Sequence, residues 1–224
     1  MELISSSISN IRALEVKYGR PQNSVRLLAV SKKKSIKHIL QAVNNGISHF
    51  GENYAQEALE KIEMLKKECK LTWHFIGPIQ SNKAAKIAQN FDWVQSLDRE
   101  KIAVKLNENR GSKHNALNIC IQVNVSEEST KSGVAMNQAE DLCGIVENLP
   151  NLNLRGLMAI PAPESNFKIQ REKYRELSNK FNDLKKIYPS IDVLSIGMSN
   201  DYEAAIAEGS TMVRLGTALF GARL

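Results

Sequence analysis

The sequence contains only three cysteines, Cys69, Cys120 and Cys143, among 224 residues. Because their number is odd and their spacing is not that of a metal site, we expect free thiols in a reducing compartment. The first residues have neither a basic leader nor a continuous apolar core, so we expect no signal peptide. No apolar run approaches the length that would cross a bilayer. These absences predict a cytoplasmic protein that does not bind membranes.

Several catalytic motifs are also missing. No G-x-G-x-x-G turn follows the first predicted strand, which argues against a dinucleotide-binding fold. The sequence has neither the two-histidine helix motif of zinc enzymes nor the G-x-S-x-G turn of serine hydrolases, and we expect no metal site. The net charge is +6. Its lysines are scattered along predicted helices beside glutamates, a pattern that indicates a solvated surface without specific nucleic-acid binding.

The order of apolar segments predicts the fold. Residues 4, 8, 11 and 14 are apolar at helical spacing, which predicts an N-terminal helix. Eight alternations of a short apolar strand and a helix follow, from Val25–Ser31 to Thr211–Gly216. We therefore predict a single-domain (β/α)8 TIM barrel over residues 1–224, with an extra N-terminal helix. A doubly wound sheet is the alternative.

Polar residues follow many of the predicted strands. In a (β/α)8 barrel the active site lies at the C-terminal ends of the strands. The polar segments would therefore meet at one end of the barrel and form a site there. They are Ser31–Lys34, Gly51–Tyr54, Gly77–Lys83, Gly197–Asn200 and Gly216–Thr217.

The ends of strands seven and eight predict a phosphate site. Asn200 and Glu203 have the spacing of a capping box, and a helix that starts there would offer free N–H groups to an anion. Ser199 and Thr217 add hydroxyl groups, and Gly216 would let the backbone come close. The alternative is that Ser199 and Asn200 only cap a helix and that Gly216 only makes a turn.

Lys32 follows the first strand and is a candidate for covalent chemistry. A neutral lysine amine can attack an aldehyde and form a Schiff base. Both faces of a barrel strand are apolar, so Lys32 and Lys33 both remain candidates on alternation alone. The competing interpretation is that Lys32, Lys33 and Lys34 are a solvated charge run at the start of a loop.

Arg214 lies within the eighth predicted strand, between two apolar residues. A buried arginine needs a partner because it keeps its charge. One interpretation is an ion pair with a carboxylate such as Glu52. The other is a contact with a ring nitrogen of a phosphorylated cofactor. A lysine that captures an aldehyde, a phosphate site and an arginine together point to pyridoxal phosphate.

Five segments resemble the signature segments of the pyridoxal phosphate homeostasis protein family, in the same order along nearly the whole chain. This resemblance implies a barrel like the N-terminal domain of alanine racemase. It also implies that Lys32 is the Schiff-base lysine and that Arg214 faces the pyridine nitrogen. Asn53 and Met158 match positions that line the cofactor, and the phosphate cup matches Ser199, Asn200, Gly216 and Thr217. The segments are LLAVSK, HFGENYAQEALEK, WHFIGPIQSNK, RGLMAIP and SIGMSNDYEAAIAEGSTMVRLGTALFGAR.

The same resemblance implies a function without catalysis. The family is regarded as non-enzymatic: it binds the cofactor and influences vitamin B6 and amino-acid balance, with pyridoxal phosphate-dependent apoenzymes as candidate partners. We expect a monomer. A racemase needs a second acid/base, which alanine racemases take from an additional C-terminal domain, and we expect no such domain in a chain that ends at Leu224. The alternatives are a pyridoxal phosphate-dependent amino-acid racemase or lyase, and a phosphosugar enzyme in which Lys32 captures a sugar aldehyde.

Overall fold

Eight parallel strands close into a barrel in the computed structural model, which describes residues 2–111, 114–126 and 132–221. Each strand pairs with the next one along the chain, and the last pairs back with the first, so the sheet has no edge. The (β/α)8 prediction is confirmed, and the doubly wound alternative is wrong. The strands are β1 (Arg26–Val30), β2 (His49–Glu52), β3 (Thr72–Phe75), β4 (Trp93–Leu97), β5 (Leu117–Val123), β6 (Leu152–Ala159), β7 (Val193–Ser195) and β8 (Met212–Leu215).

Helices connect the strands and cover the outside of the barrel. One of them precedes β1, as the apolar spacing predicts, and it buries Ile4 and Ile11. Over the described ranges no helix is long and apolar enough to cross a membrane. The helices are α1 (Glu2–Lys17), α2 (Ile36–Val43), α3 (Ala55–Leu65), α4 (Ala84–Asn90), α5 (Glu100–Arg110), α6 (Ala139–Glu147), α7 (Phe167–Ile187), α8 (Tyr202–Ala207) and α9 (Thr217–Phe220), with 3-10 turns at Ser81–Lys83 and Met136–Gln138.

The strands carry apolar side chains on both faces. On the outer face, residues such as Phe50 and Val213 are fully buried under the helices. The inner face forms a second apolar cluster inside the barrel, and its members include Leu28, Trp93 and Met212. Successive residues of a strand point to opposite faces, so a strand that is buried on both sides reads as a continuous apolar run.

Candidate functional site

A cavity of about 420 Å³ opens at the C-terminal ends of the strands. Segments that follow β1, β2, β3, β6, β7 and β8 form its walls, as the position of the polar segments predicts. The structure brings seven of the eight predicted site residues to this cavity. They are Lys32, Asn53, Ser199, Asn200, Arg214, Gly216 and Thr217. The eighth, Met158, is fully buried in the apolar cluster inside the barrel, and its contact with a ligand stays a prediction.

The structure separates the three lysines that follow β1. Lys32 and Lys34 are half-buried and line the cavity together with Val30, whereas Lys33 is exposed. The ammonium group of Lys34 donates to the carbonyl oxygens of Phe220, at 3.2 Å, and Gly221, at 3.4 Å. Lys32 is therefore the lysine beside the cavity whose position continues the inward face of β1.

Asn53 presents an unsatisfied polar atom at the cavity. Its side-chain oxygen Oδ1 is buried and has no hydrogen-bond partner among the described residues. The chain after β3 passes very close behind it: a Cβ on Gly77 would lie 2.2 Å from the Asn53 carbonyl oxygen. Glycine is therefore required at position 77, and the approach holds Asn53 in place. A buried amide oxygen that has no partner is suited to accept a hydrogen bond from a ligand.

The predicted phosphate residues lie together, but the helix beside them starts later than predicted. Helix α8 begins at Tyr202, and its N-terminal flanking residue is Asp201 rather than Asn200. Glu203 takes no part in a capping box, because its carboxylate contacts the Lys17 ammonium at 2.8 Å and the Tyr18 hydroxyl at 2.9 Å. The capping-box prediction and the interpretation of Asn200 as a helix cap are both wrong.

Ser199 connects the two loops at this end of the cavity. Its hydroxyl oxygen accepts a hydrogen bond from the backbone N–H of Ala218 at 3.2 Å, so the loops after β7 and β8 are held against each other. Gly216 has an ordinary backbone conformation, with φ −119°. A Cβ there would lie 3.4 Å from the Val30 carbonyl oxygen, a normal contact. The protein's own packing therefore does not require glycine at position 216.

Two carboxylates also line the cavity, and both already have partners. One oxygen of Asp201 accepts from the Met198 N–H at 2.6 Å, and the other accepts from the Tyr174 hydroxyl at 2.8 Å. Glu164 accepts from the N–H groups of the two residues that follow it, at 2.8 and 2.9 Å. The second of these bonds, to Asn166, is the main cause that lowers the pKa of Glu164. Asp201 therefore accepts hydrogen bonds at both of its oxygens, and Glu164 accepts at one.

Arg214 extends from β8 into the barrel, where its side chain is almost completely buried. Nη1 donates to the carbonyl oxygen of Ser195 at 2.6 Å and to its hydroxyl at 2.9 Å, and Nη2 donates to the Ala159 carbonyl at 2.8 Å. Glu52 instead forms an ion pair with Lys61 at 2.8 Å. The predicted ion pair between Arg214 and Glu52 is wrong, and neutral oxygen atoms hold the guanidinium group.

A chain of polar side chains continues from Arg214 through the barrel interior. The Ser195 hydroxyl donates to Oε1 of Gln95 at 2.7 Å. Nε2 of Gln95 lies 2.9 Å from Nδ1 of His74, and Nε2 of His74 lies 2.9 Å from Nδ1 of His49. The sequence alone does not predict these hydrogen bonds. The only signal is that polar residues occupy otherwise apolar strands, and that pattern does not show which strands meet.

Burial keeps His49 and His74 neutral. It lowers the pKa of His49 to about 4 and the pKa of His74 well below its usual range, and the charge of Arg26 acts in the same direction. Within residues 2–111, 114–126 and 132–221, no three His, Cys, Asp or Glu side chains are grouped so that they could hold a metal ion.

Comparisons with known proteins agree with this fold. The sequence profile of the alanine racemase N-terminal domain matches residues 6–224. A pyridoxal phosphate homeostasis protein of Pasteurella multocida (strain Pm70) is 51% identical over 207 residues, which cover 91% of this chain and 89% of that protein. The corresponding protein of Escherichia coli (strain K12) is 49% identical over 215 residues, which cover 95% and 92%.

One similar solved structure contains pyridoxal phosphate. PipY of Synechococcus elongatus PCC7942, determined with pyridoxal phosphate bound, superposes on this chain with a TM-score of 0.81. The two chains are 32% identical, and the match covers 94% of this chain and 100% of PipY. The likeness therefore extends over nearly the whole chain.

Proposed function

This chain belongs to the pyridoxal phosphate homeostasis proteins, a group with the alanine racemase N-terminal domain, and on that premise we propose that it binds pyridoxal 5′-phosphate. The site is the cavity at the C-terminal ends of the strands. The observation that carries the proposal is that Lys32, Arg214 and the segments with Ser199 and Thr217 line one cavity. The unsatisfied Oδ1 of Asn53 supports the fit, because a polar ligand would supply the partner that the protein lacks.

Each wall of the cavity suits one part of this ligand. Bound pyridoxal phosphate supplies an aldehyde that a lysine amine captures as a Schiff base, and a ring that accepts electrons. Lys32 is the lysine that we assign to the covalent link. The hydroxyl groups of Ser199 and Thr217, together with Asn200 and Gly216, would hold the phosphate. Val30, Ile76 and Ile160 line the cavity as well and would give the ring an apolar environment.

We further propose that the protein holds the cofactor without catalytic turnover. Arginine always carries its proton, so Arg214 can only donate to a ring nitrogen and would keep that nitrogen unprotonated. A racemase or lyase also needs a proton donor opposite the lysine. Both oxygens of Asp201 are occupied as acceptors, and the hydrogen bonds that Oε1 of Glu164 accepts from two N–H groups lower the pKa of Glu164, so its carboxylate stays ionised. Burial and the nearby Asp201 raise the pKa of Tyr174, so its hydroxyl keeps its proton.

A binding protein of this kind fits a role in intracellular vitamin B6 and amino-acid balance. We propose that residues 1–224 form one pyridoxal phosphate-binding domain that acts in the cytoplasm as a monomer. Apoenzymes that require the cofactor are its proposed partners, because a protein that binds the cofactor reversibly and does not consume it can supply it to them.

The test of this function is spectroscopic. The wild-type protein, loaded with pyridoxal phosphate, should show a visible imine band that borohydride removes. Peptide mapping after reduction should find the label on Lys32. Lys32→Ala should lose the band with an unchanged circular dichroism spectrum, whereas the matched variant Lys34→Ala should retain it. A label on Lys33 or Lys34, or a wild-type protein without the band, would contradict the proposal.

A further inference from the structure

Three charged side chains form a cluster behind the end of β1, and two of them, Glu52 and Lys61, are buried. The ammonium group of Lys61, in α3, lies 2.8 Å from Oε1 of Glu52 and 2.6 Å from Oε1 of Glu57. Lys61 is 6% exposed, and Glu52 at the end of β2 is not exposed at all. This Glu52–Lys61–Glu57 cluster therefore lies between the barrel wall and α3, on the side of β1 that faces away from the cavity.

The cluster contacts the residues on both sides of Lys32. Lys61 donates to the carbonyl oxygen of Ser31 at 2.7 Å, and the Ser31 hydroxyl donates to Oε1 of Glu52 at 2.7 Å. On the other side, the backbone N–H of Lys33 donates to Oε1 of Glu57 at 2.5 Å. The two peptide groups next to Lys32 along the chain thus have charged partners, and such hydrogen bonds are directional and strong.

The segment that the cluster holds is a tight turn. The N–H of Lys34 donates to the Ser31 carbonyl at 3.0 Å, and Lys33 has a φ of 58°. That left-handed conformation favours glycine and is unfavourable for lysine. Glu57 binds the N–H of this residue, so it stabilises the turn where the backbone is least favourable. This turn sets the direction in which the side chain of Lys32 leaves the backbone.

One feature of the cluster opposes folding. The second oxygen of Glu52 is buried and has no hydrogen-bond partner among the described residues. An unpaired buried oxygen opposes folding, and buried ion pairs stabilise proteins less than well-packed apolar side chains do. In some proteins a buried ionic group of this kind is retained because it specifies one conformation.

We propose that Glu52, Lys61 and Glu57 are positioning residues that hold the turn around Lys32 so that its amine faces the cavity in the orientation that captures the cofactor aldehyde. This inference rests on the proposed function of Lys32. The residues act through the backbone of Ser31 and Lys33 and do not touch the ligand.

The experiment compares two ligands that differ only at the aldehyde. Pyridoxal 5′-phosphate forms the bond with Lys32, whereas pyridoxine 5′-phosphate keeps the ring and the phosphate but has no aldehyde. Misplacement of a reacting group by about 1 Å can slow a reaction roughly a hundredfold. We therefore expect Glu57→Ala to slow formation of the imine band by at least roughly tenfold, with an affinity for pyridoxine phosphate within about twofold of wild type.

Further variants separate positioning from folding. Glu57→Gln keeps an oxygen acceptor for the Lys33 N–H and should remain close to wild type. The double variant Glu52→Leu/Lys61→Met replaces the ion pair with apolar side chains, which a buried site commonly tolerates, and it should show the same selective defect as Glu57→Ala. Glu63→Ala removes an exposed ion pair of the same helix, with Lys66, and is the matched control.

The possible outcomes are distinct. Wild-type imine kinetics in Glu57→Ala and in the double variant would overturn the positioning role, and so would an equal loss of affinity for both ligands in folded Glu57→Ala. A wild-type protein that binds pyridoxine phosphate but never forms an imine band would overturn the covalent role of Lys32, and this inference with it. A defect in imine formation alone supports the inference.

Discussion

Nη1 of Arg214 lies 2.9 Å from the hydroxyl oxygen of Ser195, and this contact sets the direction of the hydrogen bonds deeper in the barrel. Arginine has no acceptor, so the Ser195 hydroxyl must accept from it and donate its own proton to Oε1 of Gln95. Nε2 of Gln95 then donates to Nδ1 of His74. His74 must carry its proton on Nε2 and donate it to Nδ1 of His49.

The first prediction concerns pH. Protonation of His74 or His49 would place two donors face to face, and burial lowers the pKa of both. Because the folded pKa lies below the unfolded value of about 6.5, the unfolded chain binds more protons. The free energy of unfolding should therefore decrease as the pH falls below about 6.5. The part of this decrease that is due to His49 should end at about pH 4.

Urea unfolding between neutral and acidic pH measures this dependence. His49→Asn keeps an acceptor near the position of Nδ1 and does not titrate, so it should reduce the slope of stability against pH. His38→Asn is the control, because His38 contacts Ser35 outside the barrel interior. An unchanged slope in His49→Asn would show that His49 does not contribute to acid sensitivity.

The second prediction concerns Ser195 itself. Ser195→Ala removes a partner of Arg214 and leaves Oε1 of Gln95 buried without a donor. An unsatisfied buried polar group typically costs about 1–3 kcal/mol, so the variant should be destabilised by that amount. Ser190→Ala is the matched control, because the Ser190 hydroxyl is buried without a hydrogen-bond partner among the described residues. Equal stabilities of the two variants would contradict the role of Ser195.

The barrel could be predicted from the sequence because each strand is a short apolar run and each helix has its own periodicity. These are local signals, and both apolar layers of the barrel contribute to them. The chain of Ser195, Gln95, His74 and His49 could not be predicted in the same way. Its members lie on β7, β4, β3 and β2, and only the closed barrel brings them into contact.

Seven of the eight site residues predicted from the sequence line the cavity, but the sequence did not predict how they are arranged. The sequence does not separate Lys32 from Lys33, because both faces of β1 are apolar. The structure places Lys32, and not Lys33, at the cavity beside Val30. The helix start at Asn200 was wrong because Asp201 takes the flanking position and binds Met198 and Tyr174. The pairing of Arg214 with Glu52 failed because Glu52 lies on the outer face of its strand, against Lys61.

The third prediction concerns the phosphate group of the ligand. Charge-assisted hydrogen bonds from the loops after β7 and β8 should contribute much of the affinity. Pyridoxal without phosphate should therefore bind at least roughly tenfold more weakly than pyridoxal phosphate, a difference of about 1.4 kcal/mol. Thr217→Val, which removes one hydroxyl, should weaken binding of pyridoxal phosphate more than binding of pyridoxal. Equal affinities of the wild-type protein for the two ligands would contradict the phosphate site.

The last prediction concerns Arg214 and the absence of catalysis. Exchange of Lys32 for a free amino acid needs only attack by an amine, whereas racemisation, transamination and elimination need a ring that withdraws electrons and a second acid/base. Because Arg214 keeps its proton, an Arg214 that faces the ring nitrogen would hold this nitrogen unprotonated and make the ring a poor electron acceptor. Added amino acids should therefore change the spectrum slowly, with no multiple turnover.

The measurement is exchange of α-deuterium from a panel of amino acids, with wild type, Arg214→Glu and Lys32→Ala compared. A carboxylate at position 214 would favour protonation of the ring nitrogen, so Arg214→Glu should raise adventitious exchange. The same variant should bind the cofactor more weakly, because the Ser195 hydroxyl and the Ala159 carbonyl lose the donor that they share in the wild type. Robust wild-type turnover that disappears in Lys32→Ala would overturn the non-catalytic function, because it would show that this cavity supplies the second acid/base after all.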